Sequence, residues 1–373
     1  MSGGVGTEPR PSPLKVAASV SFYMVAAIAM ILANKWVLNE TDVPVFFLFC
    51  QLVVAVLLFV IAHVVGILKL PKMVDGPLLK GLMPMITVNV LGLNFNNWCL
   101  KYVDASFYQI ARGLVLPFTV VTSIMFLRAA PPSKRILLAC SIVTGGFFTG
   151  VFLDHVTAGG LASKAPTSQS QGPSALGVFF GVLSSMSTAL QAVVIKRALD
   201  VVDGSAIDLA WYTNLLSAIG TIPVMLLAGE LPSVLDLLFG TTTPTNAAPG
   251  TFLWGTAVTG LFGFLICIAT LFSIKVTSPI THMISSAVRG VIQTFFSVWI
   301  FHDVISLGRG TSISLILVGS IFYTWVKHVE GQKKETLPSS GQSGPSGSGR
   351  GGYEPVPMDD LKGRSNTGGD RQD

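Results

Sequence analysis

Charge is the first thing this sequence lacks. Only 12% of its 373 residues are Asp, Glu, Lys or Arg, against 50% hydrophobic, and mean hydropathy is +0.65. A water-soluble domain carries about a quarter charged residues, so the composition excludes an ordinary soluble protein. The net charge of +5 is scattered through short loops without a basic stripe, which removes nucleic acid as a partner. Cysteine is scarce as well. Cys50, Cys99, Cys140 and Cys267 lie in apolar runs with no C-x-x-C pair, and they read as small buried hydrophobes. Also absent are H-E-x-x-H, G-x-S-x-G, a Walker loop and paired carboxylates, so no enzyme chemistry, metal or cofactor is expected.

Long apolar runs are what the chain has in place of these. About ten are long enough to span a bilayer, near 15–38, 44–67, 79–100, 105–127, 134–153, 174–195, 206–228, 251–273, 278–301 and 307–327. The expected fold is all-α and membrane-embedded, with ten transmembrane helices. Residues 1–14 form a polar tail, and the first run is too long for a signal-peptide core and reads as an anchor. Stretches near 155–173 and 231–250 read as polar surface loops, and residues 331–373, rich in Gly and Ser, as a disordered tail. Loop charge orients the chain, because most of its Lys and Arg fall on one side if the N-terminus is cytosolic. Lys35, Lys101, Lys164 and Arg309 fall on the other. Both termini are then cytosolic.

The two halves, 15–153 and 174–330, repeat each other across the loop at 154–173. "ARGLVLPFTVV" at 111 parallels "VRGVIQTFFSV" at 288, and "VTGGFFTGV" at 143 parallels "LVGSIFYTWV" at 317. An odd number of spans per half makes the copies inverted five-helix repeats, an architecture of secondary transporters with the site between the repeats.

Two arginines sit inside those paired segments. An arginine at bilayer depth costs roughly 2.5–3.5 kcal/mol on insertion scales and persists where a partner receives it. Every carboxylate between residues 15 and 330 falls in a loop or at a span end, so an anionic ligand is the expected partner of Arg112 and Arg289. The same census argues against proton coupling and leaves exchange of anions. Arginine's fork suits phosphate. Amides and aromatics on other spans would read a base or sugar: Asn89, Asn94, Asn96 and Asn97 on the third, Gln191 on the sixth, Tyr212 and Asn214 on the seventh. Tyr23 on the first and Ser285 on the ninth, the latter sharing a helix face with Arg289, complete that set.

The stretches "NKWVL" (34–38), "FNNWCLKYV" (95–103), "SFYQIARGL" (106–114), "WYTN" (211–214), "KVTSPITH" (275–282) and "YTWVK" (323–327) resemble the nucleotide-sugar and triose-phosphate branch of the drug/metabolite transporter superfamily. They are most similar to Golgi GDP-fucose transporters. The resemblance implies antiport of a nucleotide sugar against the nucleoside monophosphate across the Golgi membrane, or alternatively the endoplasmic reticulum membrane. Related GDP-mannose carriers read guanine with F-Y-N-N, where this chain has Trp211, Tyr212, Thr213 and Asn214. Their G-A-L-N-K motif is matched by Ser285, Ser286, Ala287, Val288 and Arg289, which keeps the charge and loses the Asn. GDP-fucose is therefore the first expectation, a UDP-sugar (UDP-xylose, UDP-galactofuranose or UDP-glucuronate) the second, and a phosphate/phosphosugar exchange the third. Arg112 and Arg289 would hold the diphosphate, and Tyr212, Asn214 and Tyr23 the base or ribose, with Asn96, Asn97, Gln191 and Ser285 beside them. Lys35, Lys101 and Lys275 either attract and gate the anion or only snorkel. A second copy of the chain, as a homodimer, is a further option for a partner besides the lipid bilayer.

Overall fold

Without water, backbone N–H and C=O groups must pair within the chain, and a helix achieves this segment by segment. In the computed structural model, which describes residues 13–71, 75–127, 131–161, 174–239, 249–276, 279–301 and 307–335, every regular element is a helix. In chain order these are α1 (Pro13–Glu40), α2 (Pro44–Val64), α3 (Gly76–Tyr102), α4 (Ala105–Gly113), α5 (Val115–Leu127) and α6 (Lys134–Leu161). They continue with α7 (Ala175–Val201), α8 (Ala206–Leu227), α9 (Leu231–Phe239), α10 (Pro249–Val276), α11 (Pro279–Phe301) and α12 (Leu307–Glu335). Among the described residues, eight stretches are long and apolar enough to cross a membrane, α4 and α5 together making one of them. Residues up to 331 cluster as one compact unit.

Several boundaries differ from the sequence reading. The fourth run is broken between α4 and α5 immediately after Arg112 and Gly113. Pro117 has no N–H for the Gly113 carbonyl, so the chain tightens there and Leu114 N bonds Ala111 O at 3.1 Å. The stretch expected as a polar loop from 231 begins with α9, whose Val234 is buried in the core. α6 and α12 also run past their expected ends, to Leu161 and Glu335; the remaining tail lies outside the described residues.

Small residues set the closest helix pair. Gly81 of α3 lies against Val201 of α7, and Gly177 of α7 lies against Val103 and the Tyr102 backbone. A Cβ at Gly177 would come within 3.1 Å of the Tyr102 carbonyl carbon. The two contacts fix an antiparallel register along the full length of both helices.

We call the face on which α1 and α3 begin the near end and the face on which they finish the far end. The larger core cluster gathers at the far end, joining Val37 and Leu38 (α1), Phe47 (α2), Cys99 and Leu100 (α3), Phe107 (α4), Val234 (α9) and Phe252 (α10). At the near end a smaller cluster joins only α3, α7 and α8, through Leu82, Met85, Ile86, Ala198, Val202, Leu209 and Tyr212.

Candidate functional site

Arg112 is the penultimate residue of α4, and Tyr108 is one turn before it. The i, i+4 spacing stacks them on one face. Arg112 Nη1 donates to Tyr108 Oη at 3.4 Å, and its Cζ lies 5.8 Å from the ring centroid. Arg289, in the middle of α11, is matched in the same way by a residue distant in sequence. Its Nη1 donates to Tyr23 Oη of α1 at 3.0 Å, and its Cζ lies 5.5 Å from that ring. Arg289 is only 7% exposed, and the two guanidinium groups lie within electrostatic reach of each other and of both tyrosines. Tyrosine faces stabilise a cation by roughly 0.5–2 kcal/mol, and the hydroxyl accepts one bond without neutralising it. Two like charges held together in a poorly polarisable interior favour a multiply charged anion.

The amides from other spans form a separate ladder. Gln191 Nε2 of α7 donates to Asn89 Oδ1 of α3 at 2.7 Å, and Asn89 Nδ2 donates to Ser217 Oγ of α8 at 2.8 Å. Asn97 Nδ2 donates to Pro44 O at 3.3 Å, while Asn214 Nδ2 turns back to Ala210 O of its own helix at 2.8 Å. Asn96 Oδ1 is a buried acceptor that no donor among the described residues satisfies. Tyr212 packs in the near-end core, beside Trp211, whose ring meets Phe59 edge-on at 6.2 Å. The side chains of Lys275 and Ser285 lie outside the described residues.

Lys35 and Lys101 sit at the far end, tied to helix termini. Lys35 Nζ donates to Leu100 O at 2.9 Å and Val103 O at 2.7 Å, satisfying carbonyls that α3 leaves open where it ends. Lys101 Nζ returns the contact, donating to Leu38 O at 2.9 Å where α1 ends and to Asp42 Oδ1 at 2.8 Å. A cation at a helix C-terminus also complements the helix dipole. Tyr23 and Lys35 are twelve residues apart on one helix, which at 1.5 Å per residue is roughly 18 Å. The structure therefore brings Arg112, Arg289 and Tyr23 together and leaves these two lysines a bilayer half away.

Several residues at these places went unread in sequence. Tyr108 carried a signal, its spacing from Arg112. Glu230 carried none: it lies between α8 and α9, yet caps α2 across the fold, accepting from Val45 N at 3.0 Å and Phe46 N at 2.9 Å. The α2 N-cap residue Val43 has no side chain able to do so. Burial pushes the Glu230 carboxyl above its ordinary range, against the opposing pull of those backbone bonds and of Lys101. Arg309 pairs with Asp104 Oδ2 at 2.7 Å and Ser106 Oγ at 3.2 Å, where α4 begins.

The Triose-phosphate Transporter family model matches residues 14–164 and 174–324. The chain belongs to that family. Its members are transporters and not enzymes. GDP-fucose transporter 1 of Mus musculus is 34% identical over 88% of this chain and 87% of its own length. GDP-fucose transporter, Golgi, of Drosophila melanogaster is 31% identical over 85% of this chain and 91% of its own. A solved crystal structure aligns over 84% of this chain and 99% of its own with a TM-score of 0.51 at 12% identity, a likeness of fold alone.

Proposed function

We propose that this chain is a Golgi nucleotide-sugar antiporter that carries GDP-fucose into the lumen in exchange for GMP. The observation that carries the proposal is the Arg112–Arg289 pair, one half-buried and one buried arginine from opposite halves of the chain, each resting on a tyrosine. A diphosphate bridged between them neutralises both. The names of the curated relatives support GDP-fucose as the cargo and the Golgi as the membrane. Ten transmembrane helices in two inverted repeats follow if α10 and α11, of 28 and 23 residues, also cross. The two matched segments, on either side of residues 165–173, agree with that division. Both termini face the cytosol, so the near end is cytosolic, and one repeat rocks against the other to alternate access.

Thr213 favours a UDP-sugar as the second reading, because it stands where guanine-reading carriers keep an amide. The deciding experiment uses purified protein in proteoliposomes loaded with GMP, UMP or inorganic phosphate. The expected result is uptake of labelled GDP-fucose that requires internal GMP and is lost in Arg289→Ala. Uptake into vesicles with no internal nucleotide, or full exchange by Arg289→Ala, overturns the proposal. Exchange supported only by UMP transfers it to the UDP-sugar reading, and exchange supported only by phosphate to a phosphosugar carrier.

A further inference from the structure

Gln109 lies on α4 one turn before Arg112, and its side chain covers Gly290, the residue after Arg289. A Cβ built on Gly290 would overlap Gln109 Nε2 and come within 2.8 Å of its Cδ. The helices are antiparallel at this point, since Gln293, three residues beyond Gly290, reaches back to Ala105 O at 3.3 Å. Both arginines therefore lie on the near side of the Gln109–Gly290 contact, and the far end, with Ser106 and Arg309, lies beyond it. Gln109 is half-buried, and among the described residues its amide makes no hydrogen bond. Neither of its polar atoms is sealed in the interior, so the amide opens into the space beside the contact and can meet a ligand there.

The order along the bundle gives that amide a task. Tyr212 packs with Leu82, Met85 and Leu209 at the near end. The arginines come next, and Gln109 is three residues, roughly 4.5 Å of helix rise, past Arg112. A nucleotide sugar held with its base towards Tyr212 and its diphosphate on the arginines extends its sugar to Gln109. A nucleoside monophosphate ends at the phosphate and falls short of it.

We propose that Gln109 is a specificity-determining residue that hydrogen-bonds the sugar hydroxyls, and that residue 290 is glycine because the Gln109 amide occupies the space of a Cβ. The proposal rests on the nucleotide-sugar reading above. It makes Gln109 the group that separates imported cargo from exported counter-substrate, a distinction the arginines cannot draw because both ligands carry phosphate.

The test measures KM for external GDP-fucose and external GMP, in proteoliposomes loaded with GMP, for wild type, Gln109→Leu and Gly290→Ala. UDP-xylose and UMP replace them if wild type exchanges only uridine nucleotides. Loss of the amide is expected to raise KM for the nucleotide sugar about tenfold and that for the monophosphate less than about twofold. Gly290→Ala, which displaces the flexible end of Gln109 and leaves both arginines in place, is expected to give the same selective loss. It also keeps the proposal testable if Gln109→Leu does not fold. Parallel changes for both ligands, or no change for either, mean that Gln109 is only a spacer between α4 and α11 and overturn the proposal alone. Wild-type protein that exchanges no nucleotide overturns the parent reading, and this one with it.

Discussion

The far end and the near end of the bundle are built by different means. At the far end, helices from every part of the chain meet in one apolar core. Its charges are consumed by the ends of those helices: Lys35 on α3, Lys101 on α1, Glu230 on α2, and Arg309 on the Asp104–Ser106 start of α4. At the near end the described apolar core involves only α3, α7 and α8, and the buried cations between the two ends rest on tyrosines. The same residue types thus do opposite work. A lysine on orphan carbonyls replaces the hydration that the helix end loses, and so holds the fold together. Two arginines on neutral hydroxyls repel each other, and under the proposed function a ligand phosphate relieves that repulsion.

That contrast is open to direct attack. The largest stability effect is expected from Lys35→Ala, which leaves the carbonyls of Leu100 and Val103 buried without a donor. Bonds from a charged group are worth about 1.5–3 kcal/mol each, so a loss of about 3 kcal/mol and a clearly lower Tm are expected in a thermal melt. If Lys35→Ala instead melts like wild type and loses substrate affinity, the lysine belongs to the anion site and the division between the ends fails.

Arg289→Ala is expected to behave in the reverse way. Its Tm without ligand stays level or rises, because repulsion from Arg112 is relieved. GMP no longer raises that Tm, and nucleotide exchange falls about a hundredfold. A steep fall in Tm without ligand would make the pair structural.

Gly177→Val tests the register on which both ends depend. The added side chain meets Val103 and the Tyr102 backbone, and overpacking of this kind costs about 1–3 kcal/mol. Unchanged Tm would mean that α3 and α7 are not held this closely.

The smallest effect is expected at Glu230. A carboxyl whose pKa is raised by burial contributes its full stability below the ordinary carboxylate pKa and loses it as pH rises through the raised value. The melting temperature is therefore expected to climb as pH falls from neutral towards about pH 5. Glu230→Gln, which still accepts from Val45 N–H, flattens that climb. A wild-type Tm that falls over the same window would show the backbone bonds and Lys101 outweighing burial.

The helices themselves were legible without a structure, since apolar runs of spanning length admit few other solutions, and the boundaries that moved did so for local reasons. Pro117 broke the fourth run, and a buried Val234 turned the start of a presumed loop into α9. The arginines were legible too, because a charge inside an apolar run has no inexpensive explanation. Tyr23 was expected from resemblance, whereas Tyr108 went unread although its i, i+4 spacing from Arg112 was there to see. Glu230 and the crossed lysines were hidden. A backbone carbonyl or amide left open at a helix end looks the same in every sequence, and its partner lay 185 residues away in the case of Val45 and Glu230.

By itself, then, the amino-acid sequence determined the solvent, the helices and the presence of buried positive charge, because these depend on residue type and on spacing along one segment. Only the tertiary structure decided which cations bind helix ends and which face each other. That choice depends on distances between segments far apart in the chain, where a few ångströms separate a lysine capping a neighbouring helix from an arginine resting on a tyrosine beside a second arginine.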